Sequence, residues 1–391
     1  MSALLTGSDE FEGGVLSRPS CALPTRQLGA LDYLRYLRRV GCRSACARRP
    51  HWSNEARGAL SKSVVPGPGR NQVPTVTSVV YNLLLRTQRL EEKRLTKGLW
   101  KAAWKASLRQ FHGPVSTVIH GQPVTVNFGY TYPYLARKFP LYNQPLLELV
   151  YQACVAKGSP INLVDVGAAV GDTVLLVEAN CPAMVDTFHC VDGDPEFFGY
   201  LRRNLAQKAN SNRILHFALV SSSSGEERAL VRTHRGTASA QGDQYVKACT
   251  LDSLLASSDR KRVDVIKIDV DGLDGRVLAG ATTTLNSQAP SVIFEWHPIL
   301  CEQTGNSWLQ HFDVLHEAGY TRFVWFTKFG GFSHFSTTCD EETLNAVAAL
   351  CLRSKHCDDW HYDVVAVHAQ SKLDVVALAE LQFAKRRISR C

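Results

Sequence analysis

The chain has 391 residues, of which 45% are hydrophobic and 20% are charged, and its formal net charge is +8. This is an ordinary globular composition, and the length allows one large domain or two small ones. No apolar run approaches the ~20 residues that a membrane span needs, so we expect no transmembrane segment. The mild charge permits an acidic partner without requiring one, and a nucleic-acid partner is not expected.

The N-terminus and the cysteines bear on the cellular compartment. Asp9, Glu10 and Glu12 stand near the start, and no apolar segment accompanies them, so we expect no secretory signal. The twelve cysteines are scattered along the chain. Such scattering is typical of reduced thiols, and we therefore expect a cytoplasmic protein.

Composition divides the chain into three regions. Residues 1–72 are rich in Arg and Ser and close on the linker-like Pro66–Gly69, which predicts a poorly ordered basic extension. Residues 73–128 are predicted to form a basic helical segment over Pro74–Phe111 and then a small hairpin. We expect this helical segment to pack on the main domain, residues 129–391. A membrane-surface or nucleic-acid-binding helix is the alternative.

The main domain alternates between strand-like and helix-like segments. This alternation indicates βαβ units and a mostly parallel sheet. Asn143 is predicted to cap a helix that has Pro145 in its first turn. The predicted strands are Leu163–Val166, Thr187–Val191, Ile214–Leu219, Val263–Asp269, Val292–Trp296, Arg322–Phe326 and Tyr362–His368, and the predicted helices are Asp172–Ala179, Pro195–Gln207, Leu273–Leu285, Trp308–Ala318 and Glu341–Leu352.

The first strand of this domain ends in a glycine turn. Asp165 closes the apolar run, Gly167 and Gly171 follow, and a helix-like segment begins at once. Such a strand, turn and helix place a nucleotide at the C-terminal edge of a parallel sheet. A dinucleotide fold has glycine where Asp165 stands, because the pyrophosphate needs bare backbone there. The acid favours a cationic, phosphate-free ligand, of which S-adenosylmethionine (SAM) is one.

Acids also end the second strand. Asp192 lies one βαβ step after the glycine turn, where a carboxylate can accept hydrogen bonds from both ribose hydroxyls of an adenosine. Asp194 and Pro195 follow and open the next helix. We expect Asp194 to cap that helix and Asp192 to bind the ligand.

The fourth strand carries a lysine and ends in two acids. Lys267 interrupts an otherwise apolar strand, which is costly unless the ammonium group is paired. Asp269 and Asp271 follow at the ligand edge of the sheet, and Gly272 allows a tight turn into the next helix. The two acids can bind a divalent cation, or they can cap the helix.

The fifth strand ends in Glu295, Trp296, His297 and Pro298, at the same edge. An imidazole or a carboxylate there can serve as a general base for a hydroxyl group. Alternatively, Glu295 pairs with Lys267 on the neighbouring strand. The late residues Cys351, His356, Cys357 and His361 have metal-ligand types, but their spacing matches no zinc pattern, and we assign no metal ligand from the sequence.

Together these segments resemble the FkbM-type methyltransferases, a class I SAM-dependent family. The resemblance covers roughly Tyr130–Gln370. It rests on Asp165–Gly171, Asp192–Pro195 with Leu201 and Asn204, Gly236–Ser239, Thr250–Asp252, Ile266–Gly272 with Val277–Ala281, and Phe294–His297. The family usually has Asn at the position of Ala169 and Glu at that of Asp271.

The resemblance implies an α/β, Rossmann-like class I methyltransferase fold with a seven-stranded, mostly parallel sheet. It implies SAM as the methyl donor and a hydroxyl group of a sugar, a glycan or a polyketide-like molecule as the acceptor. The implied cofactor-binding residues are Asp165, Gly167, Ala169, Gly171 and Asp192. The catalytic candidates are His297, Asp269 and Glu295, with His297 the first candidate base, and a divalent cation is a variant.

Three other functions compete with this interpretation. The acid-x-acid patterns Asp192–Asp194 and Asp269–Asp271 are typical of metal-dependent nucleotide-sugar glycosyltransferases, although the glycine turn argues against one. An NAD oxidoreductase is disfavoured by Asp165. A non-catalytic SAM-binding scaffold protein is disfavoured by the retained acids and His297. The ligand that the purified protein binds, whether SAM, a UDP-sugar, NAD or none, discriminates among them.

Overall fold

The computed structural model describes residues 75–206, 212–225, 227–229, 231–234, 237–239, 245–258, 262–353 and 360–388. The predicted basic extension, residues 1–72, lies outside the described residues, as do His356 and Cys357. In the described part, no helix is both long and apolar enough to cross a membrane.

The elements alternate as the sequence pattern predicts. The helices are α1 (Val76–Arg86), α2 (Lys97–Gln110), α3 (Tyr132–Lys138), α4 (Gln144–Lys157), α5 (Asp172–Asn180), α6 (Pro195–Ala206), α7 (Leu251–Ala256), α8 (Asp274–Ala279), α9 (Thr282–Gln288), α10 (Pro298–Thr304), α11 (Gln310–Glu317), α12 (Glu341–Arg353), α13 (Val375–Glu380) and α14 (Gln382–Ile388). The strands are β1 (Pro114–Ile119), β2 (Gln122–Asn127), β3 (Ile161–Val166), β4 (Val185–Asp192), β5 (Arg213–Phe217), β6 (Leu219–Val220), β7 (Glu227–Ala229), β8 (Val231–His234), β9 (Thr237–Ser239), β10 (Tyr245–Cys249), β11 (Val265–Ile268), β12 (Ser291–Trp296), β13 (Tyr320–Thr327), β14 (Phe332–Ser336) and β15 (Tyr362–His368).

The central sheet has eight strands in the order β14-β13-β15-β12-β11-β3-β4-β5. The ladders from β12 to β5 are all parallel, while β15 is antiparallel to both β12 and β13. The sheet is therefore mostly parallel, as predicted, but the predicted number of seven strands is wrong. The additional strand is β14, which pairs antiparallel with β13 at the edge. Three of its five residues are polar and all five are only partly buried, so it lacks the continuous apolar run that identifies a central strand.

The helical segment before the domain packs on it through aromatic side chains. Tyr81 of α1 is fully buried, and its hydroxyl donates to the carbonyl oxygen of Tyr130 over 2.6 Å. Trp100 of α2 stacks on Tyr134 of α3 with ring centroids 5.7 Å apart. Burial of large aromatic groups is strongly stabilising, so these contacts account for the docking of α1 and α2.

Two predicted elements are divided in the structure. The predicted helix Leu273–Leu285 is two helices, α8 and α9, which separate near Gly280. A Cβ at Gly280 would overlap the carbonyl oxygen of Ser221, so this close approach requires glycine. The predicted strand Ile214–Leu219 is also divided, because β5 ends at Phe217 in the central sheet and Leu219–Val220 pairs with β10 in a separate sheet.

The order of the strands fixes where a ligand binds. From β3 the chain continues to β4 and β5 on one side, whereas β11 and β12 lie on the other side. The strand order therefore reverses between β3 and β11. In open α/β sheets, ligands bind outside the C-terminal ends of the strands at such a switch point.

Candidate active site

An open cavity of about 450 Å³ lies at this switch point. Its volume falls within the range of about 300–1,000 Å³ that is usual for small-molecule sites. Among the predicted site residues, the cavity is lined by Gly167, Ala169, Asp192, Asp269 and Glu295. The other three predicted residues, Asp165, Gly171 and His297, do not line it.

The glycine turn is held close to the neighbouring strands. The amides of Gly167 and Ala168 both donate to the carbonyl oxygen of Val191, over 2.9 and 3.0 Å. Gly167 has a φ of +84°, and a Cβ there would overlap the carbonyl oxygen of Asp269. Gly171 has a φ of +88°, but its Cβ would meet only leucine side chains, at 3.1 Å or more. Glycine is thus required at Gly167 both by its backbone conformation and by the close approach of the Asp269 carbonyl group just after β11.

We predict that Gly167→Ala lowers the free energy of unfolding by about 2–5 kcal/mol, since left-handed strain and overpacking add. Gly171→Ala should lower the free energy of unfolding by only about 1–2 kcal/mol, because the left-handed backbone strain is there the main cost and a new Cβ would meet no backbone atom. Urea unfolding followed by circular dichroism measures both. Equal losses in the two variants would show that the contact between the turn and β11 is not tight.

Beneath the turn, Lys267 forms a buried ion pair with Asp165. Its Nζ lies 3.0 Å from Asp165 Oδ1, 3.4 Å from Asp269 Oδ2 and 3.3 Å from the carbonyl oxygen of Gly167. Burial raises the pKa of Asp165, and Lys267 opposes that shift. Burial alone would lower the pKa of Lys267, but the neighbouring carboxylates, Asp165 first, raise it above its ordinary value. The alternative in which Lys267 pairs with Glu295 is wrong, because Lys267 pairs with Asp165 and Asp269.

Asp192 is the buried acid at the end of β4. Its Oδ2 accepts from the amide of Ala169 over 2.7 Å, and its Oδ1 accepts from the amide of Asp194 over 2.9 Å. Burial raises the pKa of Asp192 to about 7, although both amide bonds oppose the shift. Because a carboxylate has about four acceptor sites, two remain for ligand hydroxyl groups.

Asp194 caps α6, as predicted. Its Oδ1 accepts from the amides of Glu196 and Phe197 over 2.8 and 2.9 Å. Asn143 occupies the predicted N-cap position of α4, but it has left-handed backbone geometry and its side chain makes no cap hydrogen bond.

Sequence analysis missed Asp172 and several tyrosines on the cavity wall. Asp172 begins α5, and burial raises its pKa to about 7, while Lys267 opposes and Asp165 adds to the shift. Interaction with the Tyr130 side chain also opposes the rise in the pKa of Asp172. The aromatic wall comprises Tyr130, Tyr132, Tyr134, Phe139, Tyr142, Phe197 and Phe329. Asp172 was detectable as an acid directly after the glycine turn, but the aromatic residues follow no local pattern.

Three acids follow β11. The side chain of Asp269 is 50% exposed and lies on the cavity wall. Asp271 also lines the cavity and has a φ of +53°, which Asp tolerates better than most residues. Asp274 is fully buried at the start of α8, and burial raises its pKa well above the ordinary value. Asp269 is therefore the acid of this group that is most open to a bound molecule.

Glu295 and two histidines form a cluster beside these acids. Glu295 Oε2 lies 3.1 Å from His361 Nε2, and the rings of His361 and His297 stack with centroids 4.7 Å apart. His297 is only 4% exposed, and its Nδ1 accepts from the amide of Leu300 over 3.3 Å. Burial raises the pKa of Glu295 well above its ordinary value, and Asp269 adds to the shift. Glu295 and His361 line the cavity, whereas His297 stands behind them.

Residues 165–322 match the family model described as "Methyltransferase FkbM domain". This segment, which is less than half of the chain, is similar to the FkbM methyltransferase family. The matched segment begins at Asp165 and contains every predicted site residue. This family is a SAM-dependent class, so the match favours a methyltransferase over a glycosyltransferase or an NAD oxidoreductase. No curated protein matches the chain.

Several solved structures are similar in architecture. Methyltransferase FkbM from Methylobacillus flagellatus KT is 14% identical, with a TM-score of 0.32, and the match covers 53% of this chain and 43% of that chain. An O-methyltransferase from Bacillus cereus in complex with SAH is 12% identical, with a TM-score of 0.32 and coverage of 58% and 80%. TYW2 from M. jannaschii in complex with AdoMet is 12% identical, with a TM-score of 0.31 and coverage of 65% and 84%. This chain thus spans less than half of the Methylobacillus protein, and these distant likenesses transfer no substrate.

Proposed function

We propose that the protein is a SAM-dependent O-methyltransferase that acts on a hydroxyl group of a sugar, a glycan or a polyketide-like small molecule. The proposal is carried by the FkbM family match together with the position of its acids around one cavity at the switch point. We propose a cytoplasmic location on the grounds of the scattered cysteines.

The donor side of the cavity fits SAM. Gly167 and Ala169 present bare or nearly bare backbone, and Asp192 keeps two acceptor sites for the ribose hydroxyl groups. Asp165 lies beneath the turn and acts by holding Lys267. SAM supplies an electrophilic methyl group on a sulfonium centre, and the surrounding carboxylates favour a cation.

The acceptor side contains the proposed base. Of the three catalytic candidates, Asp269 is the most exposed to the cavity, Glu295 is engaged with His361, and His297 is buried with Nδ1 turned to the amide of Leu300. We therefore assign proton removal to Asp269. The acceptor oxygen forms a bond to the methyl carbon as the carbon–sulfur bond breaks, and its proton passes to the Asp269 carboxylate.

The role of Asp192 predicts a pH-dependent affinity. Its pKa of about 7 means that the carboxyl group is mostly protonated near pH 6 and mostly ionised near pH 8. The ionised form accepts hydroxyl hydrogen bonds better, so we expect SAM affinity to rise over this interval. The pKa of Asp192 is higher in the folded protein than in the unfolded chain, so between about pH 4 and pH 7 the folded state holds this proton more tightly. The contribution of Asp192 therefore lowers the free energy of unfolding as the pH rises through this interval.

Calorimetric titration of SAM near pH 6 and near pH 8 tests this expectation. Asp192→Ala should weaken binding near pH 8 by about 1–3 kcal/mol, the scale of lost hydrogen bonds to a charged acceptor. Asp192→Asn should flatten the part of the pH dependence that Asp192 causes. Unchanged affinity in folded variants would contradict the assignment of Asp192 to the ribose.

A labelled-methyl transfer assay tests the activity itself. Full-length protein is incubated with methyl-labelled SAM and a panel of glycans, free sugars and small hydroxylated molecules. The proposal expects label on an acceptor oxygen. Tight SAM binding without transfer to any hydroxyl or amine acceptor would favour the non-catalytic scaffold, and transfer to nitrogen would overturn the O-methyltransferase assignment.

A further inference from the structure

We infer that Glu295, His297 and His361 form a binding site for one divalent transition-metal ion, of the kind that Zn²⁺ occupies, on the acceptor side of the cavity. The inference deepens the proposed function, on which the ion's catalytic role rests, whereas the binding itself does not depend on it. Sequence analysis assigned no metal ligand, and it placed a cation, if any, on Asp269 and Asp271.

The fold brings the three ligands together from distant parts of the chain. One ligand atom from each of Glu295, His297 and His361 lies within 4.8 Å of the other two. Glu295 and His297 stand at and just after the C-terminal end of β12. His361 directly precedes β15, which is antiparallel to β12 with Trp296 opposite Tyr362. The start of β15 therefore lies at the same sheet edge as the end of β12.

The donor types select the metal. Two imidazoles and one carboxylate are a ligand set typical of catalytic zinc, which keeps a fourth position for water or substrate. Imidazole suits Zn²⁺, whereas Mg²⁺ and Ca²⁺ prefer oxygen ligands. The three ligand atoms lie within 4.8 Å of one another, so small side-chain movements would bring them to the zinc–ligand distances of about 2.0–2.2 Å.

The charges around the cluster favour a cation. Asp269 and Asp271 line the same cavity as Glu295, and Asp363 lies opposite Glu295 in the sheet ladder. The cationic side chain of Lys267 is already paired with Asp165 and Asp269. A divalent ion would thus reduce the repulsion among these carboxylates.

Two contacts of the ligands can be exchanged for a metal ion. His361 and Glu295 contact each other, and both would become ligands of the ion. Two bonds to the metal would therefore replace the contact between them. The contact between the Leu300 amide and His297 Nδ1, at 3.3 Å, is longer than a usual hydrogen bond. Because binding through Nδ1 would have to displace this bond, we expect His297 to be the weakest of the three ligands.

The fourth position would serve the acceptor. Glu295 and His361 line the cavity while His297 lies behind, so the open coordination position faces the bound molecule. With the acceptor hydroxyl at that position, the ion would polarise its oxygen and lower the pKa of its proton, and the Asp269 carboxylate would accept that proton.

The test is metal binding by the full-length, tag-free protein after chelator treatment. Zn²⁺ is titrated by calorimetry, and Co²⁺ is added separately because its visible absorption reports the coordination geometry. We expect one Zn²⁺ per chain and a Co²⁺ spectrum without thiolate charge transfer, which distinguishes this site from the cysteines. Glu295→Gln and His361→Ala should weaken Zn²⁺ binding by at least about tenfold, and His297→Ala by less.

Matched controls are Glu302→Gln and His112→Ala, which remove an exposed acid and an exposed histidine outside the cluster. Both should retain wild-type Zn²⁺ affinity. Absence of Zn²⁺ binding by folded wild-type protein, or unchanged affinity in the Glu295 and His361 variants, would overturn the site. SAM titration of the same preparation tests the proposed function separately. A protein that binds SAM but does not bind Zn²⁺ would refute the metal site and leave the proposed function standing.

Discussion

Replacing Lys267 by methionine should lower the free energy of unfolding by about 3–5 kcal/mol, the usual cost of removing one partner of a buried ion pair. Asp165 is fully buried, and the ammonium group of Lys267 lies 3.0 Å from it. Methionine fills a similar volume, so the loss reports the uncompensated carboxylate and not a cavity. Chemical unfolding monitored by circular dichroism measures it.

A second lysine of the same domain is the matched control. Lys157 pairs with Asp264 at 2.8 Å, but its side chain is 23% exposed. Lys157→Met should lower the free energy of unfolding by less than about 1 kcal/mol, as at other solvent-accessible pairs. In the Lys267→Met background, Asp165→Asn should recover stability because the buried charge is removed. Equal losses in the Lys267 and Lys157 variants would show that the buried pair is not important for the fold.

Asp269→Asn should lower the rate of methyl transfer by about 10²–10⁴-fold, the range for loss of a general base. SAM affinity should remain nearly unchanged, because Asp269 acts on the acceptor oxygen and the ribose is bound elsewhere. Single-turnover transfer of labelled methyl groups, with SAM titration of the same variant, separates the two effects. Asp313→Asn, at an exposed position on α11, should retain full activity.

His297→Ala distinguishes the two candidate bases. The sequence favours His297, since an imidazole titrates near neutral pH. The structure buries His297 behind Glu295 and His361, so we expect a smaller loss that excess Zn²⁺ partly restores. If His297→Ala abolishes transfer irrespective of metal and Asp269→Asn remains active, the imidazole is the base and our assignment is wrong.

The donor side of the site was predictable because its signals are local. The acid and glycines of the turn lie within seven residues, Asp165 to Gly171, and strand ends mark Asp192 and Asp269. An isolated lysine in an apolar strand predicted a buried pair, but the residue types left its partner open. Register decides the partner, since Lys267 lies opposite Asp165 on β3 and Ile293 on β12.

The acceptor side was less predictable because its contacts are non-local. His361 is 66 residues from Glu295 along the chain, and only the antiparallel direction of β15 brings the two side chains together. Alternation of strands and helices predicts parallel pairing, which would place His361 at the opposite edge. The tyrosines before α4 likewise reach the cavity through chain packing that no periodicity indicates.

Calorimetric titration of the full-length protein with SAM tests the central claim most directly. The account predicts that one SAM binds per chain, that the demethylated product competes for the same site, and that UDP-sugars and NAD do not bind. A folded protein that fails to bind SAM, or that binds a UDP-sugar or NAD in its place, would contradict the assignment of this cavity to a methyl donor.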